Sequence, residues 1–165
     1  MAKFKASFRA NYPHLCRGCK LIVVDGTQFV NPDHDRTLRG HLGTHPVTFK
    51  QIVENEIFPE VCLPLADLCE AGSSQKNLIV CVCKSGVHRS VALKAAMEDA
   101  VVHNLHHGSE ESLQTLDLQK DEWSDTGKCR KGCPFCHAGS QENRPTMKKA
   151  FDLLRDIVLS LIHIS

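Results

Sequence analysis

An unbroken apolar run, Leu78-Ile79-Val80-Cys81-Val82, leads into Cys83-Lys84-Ser85-Gly86-Val87-His88-Arg89-Ser90 and from there into a long helical pattern. A strand without polar alternation has to be covered on both faces, which favours a parallel strand between helices. The loop that follows turns backbone N–H groups toward one point, where the start of the next helix adds partial positive charge. This strand, tight loop and helix predict an α/β domain whose main feature is a place to hold an oxyanion.

The other elements fit around that unit. Lys20 to Val24 is a β-branched run closed by Asp25-Gly26-Thr27, which reads as a first core strand ending in a turn. Residues 29–46 form a long polar loop crowded with ionisable side chains, and such loops commonly carry function. A helix is expected from Pro46, with Ile52 and Val53 inward, and another over Pro59 to Ala71 that Pro64 kinks or breaks. The helix after the anion loop runs from near Val87 to about Leu105, with Lys94 and Glu98 on its wet side. Leu113 to Leu118 reads as an edge strand, and Thr146 to Ile162 as a packing helix with Phe151, Leu154, Ile157, Val158 and Leu161 on one face. The last residues, Leu159 to Ser165, resemble a translated sequencing-library adapter, so His163 is given no role.

A chain of 165 residues supports one sizeable core and a small appendage. The expected division is a basic extension over 1–19, an α/β domain over 20–125, a cysteine-rich appendage over 126–143 and a final helix over 144–165. The net charge of +1 argues against wholesale polyanion binding, although residues 1–24 carry five basic side chains and no acid, and residues 109–125 carry six acids against Lys120. No apolar run reaches membrane-spanning length, and the expected location is cytoplasmic, with an organelle transit peptide as the alternative for the basic N-terminus.

Cys83-x-x-Gly86-x-x-Arg89-Ser90 resembles the signature of the protein tyrosine and dual-specificity phosphatases. That resemblance implies attack by a Cys83 thiolate on phosphorus, with Arg89 binding the phosphoryl oxygens and Ser90 assisting the second step. Val82 stands where those enzymes carry a histidine. The same loop, read as Cys83, Gly86, His88, Arg89, Ser90 and Val91, also resembles the C-terminal domain of the RapZ family. A second, upstream match supports this: Asn31-Pro32, Leu38-Arg39, Gly43 and Pro46-Val47 follow that family's order. The RapZ resemblance implies a small mixed or parallel sheet with flanking helices, similar to a phosphofructokinase subdomain, and a pocket for a phosphorylated sugar such as glucosamine 6-phosphate. It places Cys83, Lys84, Ser85, Gly86, His88, Arg89 and Ser90 on the pocket floor, with Asn31, Arg39 and His41 facing it. It also implies RNA as a partner, although the acidic stretch 109–125 stands where that family has a basic segment.

Nine cysteines, an odd number, argue against a disulfide framework. Cys129-x-x-x-Cys133-x-x-Cys136-His137 has spacing suited to wrapping thiolates around one metal, and with a fourth ligand it would make a structural zinc site. The candidates for that ligand are His137 and, if the termini meet, Cys16 or Cys19.

Overall fold

The computed structural model describes residues 1–68, 76–104, 129, 133–136 and 144–162. Its centre is a pair of parallel strands, β1 (Cys19–Asp25) and β2 (Lys76–Val82), aligned so that Leu21 faces Leu78 and Val24 faces Cys81. Side chains alternate across a strand, and here each parity has its own cover. Ile22 and Val24 of β1, with Ile79 and Cys81 of β2, join the main core, whereas Leu21, Val23, Leu78, Val80 and Val82 face the opposite side. The apolar run is therefore packed on both faces, as its lack of alternation predicts, though its side chains are only partly buried.

Helices supply the two covers. On one side, α1 (Ala2–Asn11) lays Phe4 and Phe8 on the sheet, with Tyr12 beyond its end, and α2 (Pro13–Cys16) returns the chain to β1. On the other side lie α3 (Pro46–Val53), α4 (Phe58–Cys62), α5 (Arg89–Asn104) and α6 (Arg144–Ile162). Their inward residues include Phe49, Ile52, Phe58, Val61, Leu93, Met97 and Leu154 around Ile22 and Val24. Burying this many large apolar side chains, at about 1.5–3 kcal/mol each, is the main source of stability.

Local signals set several boundaries. Asp25 Oδ1 accepts from the N–H and hydroxyl of Thr27 at 2.9 and 2.7 Å, which turns the chain out of β1. Pro46 opens α3 at a position where no N–H is needed. The predicted helix over 59–71 is divided as Pro64 requires, into α4 and a 3₁₀ segment over Leu63–Leu68. Lys94 and Glu98 pair at 3.4 Å on the solvent side of α5. The edge strand expected over Leu113–Leu118 lies outside the described residues. Among the described residues no helix is long and apolar enough to cross a membrane.

Candidate functional site

The loop between β2 and α5 begins with Cys83. Its sulfur lies 3.2 Å from Ser90 Oγ and accepts the Gly86 N–H at 3.2 Å. Gly86 adopts φ +65°, which a side chain disfavours and which helps to turn that N–H back on the sulfur. Burial alone would push the Cys83 thiol up. The Ser90 hydroxyl and the N–H groups of Ser90, Ser85 and Gly86 outweigh it, and the thiol ends below its ordinary value. Cys81, two residues earlier and facing the core, is pushed up to about 12 by burial, and burial also raises Cys62. Only the thiolate is nucleophilic, so at neutral pH iodoacetamide should alkylate Cys83 ahead of Cys62 and Cys81. Peptide mass spectrometry of the folded protein checks this; slower reaction at Cys83 than at the two core thiols would count against the donor cradle.

Arg89 reaches back to the turn that leaves β1. It is buried, and its Nη1 donates to the carbonyls of Phe29 at 2.8 Å and Thr27 at 3.2 Å. These carbonyls belong to the turn leaving β1, so the guanidinium braces the start of α5 against the end of the neighbouring strand. The phosphatase signature specifies an arginine at this position, but here its Nη1 is occupied by backbone carbonyls.

The upstream motif packs on the same loop. His88, almost fully buried, has Nδ1 3.8 Å from Asp33 Oδ1. Asn31 caps the short 3₁₀ turn Pro32–His34 by accepting the Asp33 N–H at 3.3 Å, and Arg39 grips the Asp33 carbonyl through Nε at 3.2 Å and Nη2 at 3.1 Å. Asn31, Arg39 and His88 are thus gathered around Asp33, which neither family resemblance names as a pocket residue. Its signal was its place directly after Asn31-Pro32. Lys84 and Ser85 lie exposed at the loop tip.

His41 belongs elsewhere. Its Nδ1 lies 3.4 Å from the sulfurs of both Cys133 and Cys136, which are 3.6 Å from each other. Cys129 joins them: its thiol hydrogen-bonds those of Cys133 and Cys136, and its N–H donates to Gly40 O at 2.7 Å. Cys129 holds φ +44°, a conformation that a residue with a side chain keeps only when its surroundings impose it. These four residues form a cluster that could hold a metal ion.

One expectation is corrected: His41, expected to face the anion pocket, faces the cysteines and offers a fourth ligand atom beside them. Cys16 packs with the α1 side of the sheet, and the Cys19 thiol lies 3.6 Å from the carbonyl of Arg17. His137 lies outside the described residues. Phe135 and His45 extend the cluster, with the His45 ring 4.3 Å from that of His41 and 5.7 Å from that of Phe135.

Compared with known proteins, the chain matches no family model, no curated sequence and no solved structure.

Proposed function

We propose that the Cys83–Ser90 loop binds the phosphoryl group of a small molecule, a sugar phosphate such as glucosamine 6-phosphate. The observation that carries this is the convergence of donors from Ser85, Gly86 and Ser90 on the Cys83 sulfur, at the start of a 16-residue helix. Donors arranged to lower a thiol's pKa create a local positive potential, and the helix start adds to it. Packing of the Asn31–Arg39 segment on the same loop agrees with the resemblance to the RapZ C-terminal domain.

Binding is favoured over turnover. A Cys83-dependent phosphatase has the low thiol and the Ser90 contact in its favour, but it needs a guanidinium on the equatorial oxygens. Arg89 spends its Nη1 on Phe29 and Thr27. Purified protein should be stabilised against heat by millimolar glucosamine 6-phosphate, with the shift reduced in Lys84→Ala and retained in Cys83→Ser, and should show no phosphatase turnover. Turnover abolished by Cys83→Ser would overturn the choice, as would salt-dependent RNA binding with no response to sugar phosphates.

For the cysteine cluster the proposed metal is zinc. With Zn–S near 2.3 Å and Zn–N near 2.0 Å, tetrahedral angles put sulfurs about 3.8 Å apart and sulfur and nitrogen about 3.5 Å apart. The 3.6 and 3.4 Å separations fall within a few tenths of an ångström of those values. Three thiolates and an imidazole form a closed donor set of the structural kind. Elemental analysis of protein purified without chelators should give one zinc per chain, and protein with no zinc would remove the assignment.

A further inference from the structure

The strap from Gly40 to Thr44 touches both sites at once. On one side, Gly40 O accepts from Cys129 N–H, His41 Nδ1 meets the sulfurs, Leu42 N–H donates to Cys136 Sγ at 3.4 Å, and the Thr44 hydroxyl donates to Cys136 O. On the other side, Gly43 N–H donates to Val87 O at 3.1 Å. A Cβ on Gly43 would run into the carbonyl of His88 and the N–H of Ala92, so the strap lies directly on the turn that ends the anion loop. Neighbouring residues of one short segment therefore hold the cysteine cluster and press on the loop.

We propose that metal bound by His41, Cys129, Cys133 and Cys136 clamps the Cys83–Ser90 loop through Gly43, so that metal and anion bind with positive cooperativity. The cooperative part rests on the reading of that loop as an anion site; the clamp itself does not. Without metal, strap and cluster are joined by the hydrogen bonds of Leu42, Thr44 and Cys129, by the contacts of His41 Nδ1 with the thiols and by the His45–Phe135 ring contact. With metal, His41 is fixed, and the position of Gly43 two residues on is fixed with it. By linkage, a metal that strengthens anion binding must itself be held more tightly when the anion is bound. Couplings between sites are typically about 5–150-fold.

Hydrogen exchange on the full chain tests the clamp directly. Zinc-loaded protein should exchange the N–H groups of Gly43 and Ala92 at least about tenfold more slowly than chelator-stripped protein, while the Tyr12 N–H at the end of α1 is unchanged. Equal protection in both forms, or a change spread evenly over α1 and β1, overturns it. Cooperativity is read with inorganic phosphate as the probe: loaded protein should bind it about tenfold more tightly than stripped protein. In Gly43→Ala, whose added Cβ forces the strap off the loop, that difference should vanish, and zinc should be held more weakly because His41 shifts with the strap. Unchanged zinc affinity together with an undiminished phosphate difference in Gly43→Ala would count against the strap as described. Absence of phosphate binding in both forms would defeat the anion reading and the cooperativity, and the exchange result alone would then decide the clamp.

Discussion

Replacing Arg89 with methionine should destabilise the protein by about 3–4 kcal/mol, because hydrogen bonds from a charged donor contribute about 1.5–3 kcal/mol each and the Phe29 and Thr27 carbonyls would lose theirs. Methionine keeps much of the side-chain volume, so the loss would be of donors more than of packing. Against a total stability of about 5–15 kcal/mol for a domain of ordinary size, this is a large fraction. Urea unfolding would show it as a lower midpoint with an unchanged slope. Arg89→Lys should fall between, since an ammonium can reach one carbonyl but lacks the planar fork. If Arg89 instead served the oxyanion, methionine would abolish ligand binding at a stability cost below about 1 kcal/mol, within the range of substitutions that leave the fold intact.

The second large effect concerns the fourth metal ligand. His41→Ala should weaken zinc binding on the order of 100-fold or more, since even outer partners of metal ligands are worth about 10–100-fold. Cys16→Ser and Cys19→Ser should leave it unchanged, their sulfurs lying with the α1 packing and at the Arg17 carbonyl. Competition with a chromophoric chelator measures all three. A loss in Cys16→Ser equal to that in His41→Ala would return the fourth position to the N-terminal pair. Because the ligands sit on the strap and on a short turn rather than in the main core, chelation should lower the thermal midpoint yet leave far-UV circular dichroism largely helical.

The elements legible in the sequence are those with a local cause. The apolar run at 78–82 packs on both faces, with its side chains partly buried; Pro64 broke its helix; Asp25-Gly26-Thr27 made its turn. α5 begins at Arg89, two residues later than the apolar pattern suggests, because the loop needs Gly86 at positive φ before the helix can start. α1 departs from the expected extension: the acid-free basic segment is helical, with Phe4, Phe8 and Tyr12 four residues apart in one stripe.

The site was less legible, for a physical reason. A motif fixes which residue occupies a position and says nothing about which way its side chain turns. The motif singles out Arg89, yet its Nη1 goes to the β1 turn. His41 was singled out for the anion pocket and lies at the cysteines, a contact across 92 residues that leaves no periodic trace in the chain. Asp33 gathers Asn31, Arg39 and His88 through its carboxylate, N–H and carbonyl, three unrelated contacts that only the folded backbone brings together.

That 92-residue separation also bears on the unfolded chain. An ion held at both ends would act as a reversible cross-link, and tying the ends of a segment this long withdraws about 4.6 kcal/mol of conformational freedom from the denatured ensemble by the chain-entropy relation used for disulfides. The same closure has a kinetic side: His41 reaches the cysteines only after most of the polypeptide between them has been collected. Metal capture should therefore come late in folding, as a lock on an assembled chain rather than a seed for it.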